Sequence, residues 1–200
     1  MMPLLSLAIA FFVGGIPFGY VLVRLMTGRD VRSMGSGNIG ATNVLRTTGR
    51  LVAIVTLLLD IGKGFFAVWL AARLSADSPL WMSGAALAVI LGHAYPVFLK
   101  FQGGKAVASF IGAFLYLAPV AMLSILVVFV MVVAVTRHIS LGSIVAAGTF
   151  PLGVWIIQHP PEPVLLAAVI AGAFIVYRHR ANIARIRAGN ENVFTFGGTK

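Results

Sequence analysis

Six apolar stretches, each long enough to cross a lipid bilayer or nearly so, set the terms for this chain. They cover residues 4–25, 51–74, 80–99, 106–135, 141–158 and 164–177, and a transmembrane helix needs about 20 mostly apolar residues. Backbone in hydrocarbon finds no water to bond, so segments of this length fold as helices. Composition agrees. Of 200 residues, 60% are apolar and 10% charged, against about 45–50% and about 25% in a soluble domain. The expectation is an all-α polytopic membrane protein, one domain over residues 1–200. The chain has no cysteine, which removes disulfide scaffolds, thiol nucleophiles and Cys-ligated metals.

The run 106–135 is too long for one comfortable crossing, since thirty helical residues reach about 45 Å. Pro119 marks its natural break, leaving a short fourth helix and a fifth of ordinary length. With that split, every Lys and Arg except Lys63 and Arg73 falls on one side of the bilayer. The positive-inside rule then predicts seven transmembrane helices, N-terminus outside and C-terminus cytoplasmic. The first residues lack the basic region of a signal peptide, so they read as the start of the first span. The net charge of +10 points to an anionic membrane face and anionic substrates, not to nucleic acid.

The basic loops hold the unusual residues. Residues 35–46 read Gly-Ser-Gly-Asn-Ile-Gly-Ala-Thr-Asn-Val-Leu-Arg. Gly35, Gly37 and Gly40 allow backbone N–H groups to converge on an anion. Ser36, Asn38, Thr42 and Asn43 offer side-chain donors, and Arg46 a fork that fits phosphate. The plainer alternative is a flexible polar turn. Further on, Gly103-Gly104-Lys105 leads into the short fourth helix, where free N–H groups, the helix dipole and a lysine converge. It is not a Walker A loop, because Ala106 follows the lysine; a hinge beside a membrane-facing lysine is the alternative.

After the last span, His179 and Asn182 are three apart and share a helix face. Arg185 and Arg187 read as interfacial anchors, and Glu191, the one acid of the tail, as the partner of a nearby arginine. Inside the spans, Asp60 and Lys63 read as a structural ion pair, with Gly62 and Gly64 permitting close helix approach. His93 reads first as a buried, satisfied histidine. Ser140 reads as a helix cap and Ser143 as a candidate substrate contact.

Two anion sites on one membrane face imply two phosphorylated substrates, or one molecule with two phosphates. No His-Glu-x-x-His cluster exists and five acids in all leave little for Mg²⁺, so neither metal nor cofactor is expected. Without a thiol or an evident Ser–His–Asp set, covalent catalysis has weak support. Direct transfer between bound molecules, driven by positioning and electrostatics, fits better.

These residues carry a resemblance. The 35–46 motif, Leu59-Asp-Ile-Gly-Lys-Gly64, Gly92-His-Ala-Tyr-Pro with Phe101-Gln-Gly-Gly-Lys105, Ser140-Leu-Gly-Ser143 and Arg178-His-Arg-x-Asn182-Ile resemble the bacterial PlsY family of acyl-phosphate:glycerol-3-phosphate acyltransferases. The likeness covers the whole chain. It implies transfer of a fatty acyl group from acyl phosphate to the 1-hydroxyl of glycerol 3-phosphate, giving lysophosphatidic acid and phosphate, the first step of phospholipid synthesis. It marks Ser36 and Arg46 as needed for activity, Gly103 and Gly104 as the loop gripping glycerol 3-phosphate, and Lys105 as the neutraliser of phosphate charge. His179 and Asn182 match an active-site pair, Glu191 a structurally important acid, and Ser143 a substrate contact. One departure is Gly-Asn-Glu191 where the family pattern has Gly-Thr-Glu. The resemblance also implies the bacterial cytoplasmic (inner) membrane, an active site on its cytoplasmic side, and a functional link to the enzyme that makes acyl phosphate. Oligomeric state stays open. A small phosphate or phospholipid carrier is the second reading, although a carrier should place polar groups near the bilayer midplane.

Overall fold

Proline and glycine set the breaks in this fold, and the apolar runs between them are helix. A computed structural model describes residues 1–194; the last six residues of the expected domain lie outside the described residues. The helices are α1 (Met2–Gly14), α2 (Phe18–Thr27), α3 (Ala41–Thr47), α4 (Arg50–Ser75), α5 (Pro79–Ala94), α6 (Val107–Leu117), α7 (Pro119–Thr136), α8 (Ile139–Gln158), α9 (Glu162–Arg178) and α10 (Arg180–Arg187). The first expected span is broken between α1 and α2. Pro17 has no N–H to continue the ladder, and the Ile16 carbonyl near this break accepts a hydrogen bond from Lys63 Nζ at 2.8 Å.

Five stretches are long and apolar enough to cross a membrane: Met2–Thr27, Arg50–Ser75, Pro79–Leu99, Pro119–Thr136 and Ile139–Gln158. Among the described residues there is a sixth if α9 and α10, bent by 54°, are counted together as one broken span. The expected fourth span, α6, has 11 residues. That is about 16 Å of helix, roughly half of the ~30 Å hydrocarbon core.

The division at Pro119 has a geometric consequence. Lys105, just before α6, bonds Asn182 of α10, and Ser140, at the start of α8, bonds Glu191 just beyond α10. Both ends of the 106–135 run therefore meet at one end of the bundle. The turn between α6 and α7 lies at the other end, where Ala121 N–H donates to Gln158 Oε1 at the end of α8, 3.1 Å. The chain goes up α6 and returns down α7.

Packing follows membrane rules, with small residues inside and large ones on the lipid side. Alanines of α4, α5, α6, α8 and α9 fill the centre around Phe110, Phe114 and Phe150, whose ring centroids lie 4.9–5.0 Å apart. Leu58, Val127, Val130 and Val135 face outward. The tight α4–α6 contact depends on Gly64 and Gly112: a Cβ on either would overlap the facing backbone carbonyl, of Ser109 and Ile61 respectively. Gly62, expected to share this role, faces open space and contributes nothing to the contact.

Candidate active site

The loop before α3 is organised by one amide. Asn43 is buried. Its Oδ1 accepts the Ser36 N–H at 2.8 Å, and its Nδ2 faces the carbonyls of Val31, Met34 and Asn38 at 3.2, 3.0 and 2.8 Å. Gly35 and Gly37 take φ of +56° and +71°, the left-handed region that glycine enters without strain. The Gly37 N–H bonds the Met34 carbonyl, and the Gly40 N–H bonds Asn38 Oδ1 at 2.9 Å. This corrects the sequence expectation. Asn43 and the N–H groups of Ser36, Gly37 and Gly40 are spent inside the loop and are not on offer to a ligand. Thr42 lies in the first turn of α3, outside the cleft described below.

The Gly103-Gly104-Lys105 loop shows the same economy of N–H groups. Gly103 N–H bonds the Ala94 carbonyl and Gly104 N–H the His93 carbonyl, both at 3.2 Å. A Cβ on Gly103 would overlap the His93 carbonyl and the Pro96 ring, so the glycines serve close packing and do not supply free donors. Their carbonyls receive Arg178 Nη2 at 3.2 and 2.9 Å. Arg178 also stacks on Tyr95, 5.0 Å from the ring centroid, and its buried Nε has no hydrogen-bond partner among the described residues.

The loops and α10 enclose a cleft of about 250 Å³ lined by Ser36, Asn38, Lys105, Arg178, Arg180, Ala181, Asn182 and Arg185. Among the described residues, four cations and no carboxylate line it. Asn182 is its hinge: Oδ1 accepts Lys105 Nζ at 2.5 Å and Nδ2 donates to Glu191 Oε1 at 2.8 Å. Glu191 also accepts from Ser140 Oγ at 3.1 Å and from Arg185 Nε at 2.8 Å. Burial alone would raise the Glu191 pKa, but the bonds from Asn182, Arg185 and Ser140 hold it below the usual value. Ser140 is therefore a Glu191 ligand; His138, not Ser140, occupies the cap position of α8. Ser143 Oγ bonds the Ile139 carbonyl of its own helix at 2.9 Å and does not line the cleft. Arg185, expected as a mere anchor, is both an ion-pair partner and a wall.

Burial lowers the Lys105 pKa to about 8; Glu191 opposes the shift, while Arg185, Arg46 and Arg178 add to it. Burial likewise lowers Arg46, with Glu191 opposing and Arg185 reinforcing, so Arg46 stands within electrostatic reach of the cleft without lining it. His179, between α9 and α10, is buried. Its Nδ1 lies 2.8 Å from the Ile175 carbonyl, which only accepts, so Nδ1 carries the proton and Nε2 the lone pair. Burial and then Lys105 push its pKa down to about 4. The sequence reading passed over Arg178 and Arg180 as site residues; their signal was the pair of arginines flanking His179.

Outside this cluster, Asp60 and Lys63 form a buried ion pair at 2.7 Å. A larger, more open hollow lies between Tyr20, Asp30, Arg32, Phe98 and Lys100. It holds none of the candidate residues, and its Arg32 is paired with Asp30 at 2.7 Å.

A sequence model of the family described as "Glycerol-3-phosphate acyltransferase" matches residues 4–189. The chain belongs to this family. Similar members include the glycerol-3-phosphate acyltransferase of Geobacter sulfurreducens, 48% identical over 191 residues, which are 96% of this chain and 97% of that protein. That of Trichlorobacter lovleyi is 48% identical over 92% of this chain and 94% of its own length. Among solved structures, the glycerol 3-phosphate form of PlsY (YgiH), an integral membrane glycerol 3-phosphate acyltransferase, superposes with a TM-score of 0.92 at 37% identity, covering 98% of this chain and 96% of that one. Its lysophosphatidic acid form gives a TM-score of 0.89 at 36% identity over the same shares. As a member of this glycerol-3-phosphate acyltransferase family, the chain is an integral membrane enzyme, and its cationic cleft is the candidate seat of acyl transfer.

Proposed function

We propose that this enzyme transfers a fatty acyl group from acyl phosphate to the 1-hydroxyl of glycerol 3-phosphate by direct, metal-independent attack. The observation that carries the reading is the cleft lined by Lys105, Arg178, Arg180 and Arg185, of which Arg185 is paired with Glu191 behind the wall, in a chain of this family. Both proposed substrates bear phosphate, and such a surplus of cations suits two phosphate groups brought side by side. The cleft is small and polar, so the acyl chain stays in the bilayer while its phosphate head enters. Ser36 and Asn38 offer hydrogen bonds to the glycerol moiety, and Arg46 adds long-range positive potential.

The glycerol oxygen forms a new bond to the acyl carbonyl carbon, and the bond from that carbon to the phosphate oxygen breaks. The hydroxyl proton leaves with the phosphate, a better acceptor than His179, whose pKa of about 4 makes it a weak base at neutral pH. His179, buried and absent from the cleft's lining, supports the bend between α9 and α10 that brings Asn182 to Lys105, and the cations stabilise charge as it develops.

The proposal extends to the membrane: seven passages with α6 as the short fourth, the N-terminus outside, and the cleft on the cytoplasmic face of the bacterial inner membrane. Its support is that all Lys and Arg except Lys63 and Arg73 then lie on one side. The deciding assay mixes purified protein with palmitoyl phosphate and glycerol 3-phosphate. Lysophosphatidic acid and phosphate should form in equal amounts, unaffected by EDTA, and palmitoyl-CoA should not replace the donor. Loss of activity with EDTA, or equal use of the thioester, refutes the reading.

A further inference from the structure

A polar network inside the bundle reaches the loop that carries Lys105 into the cleft. His93, two residues from the start of the loop after α5, is 4% exposed. Its Nδ1 lies 3.0 Å from Ser109 Oγ on α6. The single hydroxyl proton of Ser109 goes to the Asp60 carbonyl on α4, 3.1 Å away, so the hydroxyl accepts from the imidazole and Nδ1 carries the ring proton. Asp60 Oδ1 stands 3.7 Å from the same nitrogen. Asp60 in turn pairs with Lys63 at 2.7 Å, and Lys63 is tied to Ile16 between α1 and α2. Four segments of the membrane bundle thus fix one imidazole.

The other edge of that ring is the surface on which Gly104 rests. A Cβ added to Gly104 would overlap His93 Nε2 and stand 2.9 Å from Cδ2, while the next neighbour, Ile39 Cγ1, is at an ordinary 3.4 Å. Lys105 follows immediately, with its ammonium on Asn182.

We propose that His93 is a positioning residue: held by Ser109 and the Asp60–Lys63 pair, it sets the height of residues 103–105 and so the place where Lys105 meets the phosphate of glycerol 3-phosphate. This inference rests on the reading of the cleft given above. A residue that places a binding group without touching the reacting atoms shows itself in KM more than in kcat.

The test is a cycle of His93→Ala, Gly104→Ala and the double variant, assayed for KM and kcat alongside the wild type. His93→Ala should raise KM for glycerol 3-phosphate about tenfold with kcat within about threefold, since small misplacements of binding groups cost on this order or more. Gly104→Ala should be worse, because its methyl collides with the ring. The double variant should recover at least threefold over Gly104→Ala, because the new methyl takes the space the imidazole leaves; a double variant no better than Gly104→Ala overturns the proposal. Should Gly104→Ala fail to accumulate, His93→Ala alone decides. Unchanged KM with a lowered melting midpoint assigns His93 to packing and refutes the inference. A wild type without transferase activity refutes the proposed reaction instead, so the two failures are distinct.

Discussion

The pH dependence of glycerol 3-phosphate capture follows from Lys105. With a pKa of about 8, its side chain is about nine-tenths charged at pH 7 and about one-tenth charged at pH 9. Only the ammonium form makes a charge-assisted bond to phosphate, worth about 1.5–3 kcal/mol. Because the folded pKa is depressed, the cation is lost as pH rises through about 8, and affinity falls with it. The profile of kcat/KM, which reports the free enzyme, should therefore decline above about pH 8 and level off about 10- to 100-fold lower. The assay is the initial rate of phosphate release at subsaturating glycerol 3-phosphate and fixed palmitoyl phosphate, between pH 6.5 and pH 10. Lys105→Met should start near the lower plateau and lack the alkaline limb. Lys105→Arg, charged throughout this range, should move the limb out of the window. A wild-type profile flat to pH 9.5, or the same limb in Lys105→Met, would refute the assignment.

Three further outcomes are expected. Glu191→Ala removes the acceptor of Asn182, Ser140 and Arg185; with the buried Asn182 amide left unpaired and the part-exposed Arg185 discounted, the loss is about 3–4 kcal/mol. That corresponds to a fall of roughly 10 °C in melting midpoint, measured by scanning fluorimetry in detergent; an unchanged midpoint contradicts the clamp. His179→Ala should lower kcat by less than about tenfold with saturating substrates, whereas an obligatory general base contributes about 10²–10⁴-fold; a loss in that larger range would make His179 the proton acceptor. The chain has no cysteine, so Val120→Cys, beside the Pro119 turn, and Ser33→Cys, in the first basic loop, can be labelled singly in whole cells with an impermeant maleimide. Val120→Cys should react in intact cells and Ser33→Cys only after permeabilisation; the reverse pattern inverts the proposed orientation.

The helices were legible because hydrophobicity and proline act locally. A run of apolar residues declares its span without reference to any neighbour, and Pro119 breaks the 106–135 run in sequence and in space alike. The break between α1 and α2 was less visible. Gly15-Ile-Pro17 lies inside an apolar stretch, and the Ile16 carbonyl bonds Lys63 from a helix distant in sequence. No hydrophobic pattern contains that partner. The shortness of α6 was legible from the distance between residue 106 and Pro119; the fixing of Gly103 and Gly104 by carbonyls at the end of α5 and by Arg178 was not.

In the site, charge was legible and hydrogen bonding was not. A cationic face could be read from where arginine and lysine gather, because long-range electrostatics depends on position more than on detailed geometry. Glycine and asparagine are ambiguous in a way lysine is not. The same Gly-x-Gly spacing suits an anion nest or a loop closed on itself, and the choice depends on whether another group takes the N–H first. Asn43 takes Ser36, Asn38 takes Gly40, and the α5 carbonyls take Gly103 and Gly104. With those donors spent, side chains carry more of the recognition of an anion, and each must be placed by something else: Asn182 by Glu191, Arg178 by Tyr95 and the loop carbonyls. Substitutions of Asn43 and Glu191 should therefore disturb binding through geometry, while substitutions of Lys105 and Arg178 should disturb it through charge. Added salt weakens the electrostatic term, so it should mask a lost charge more than a lost alignment.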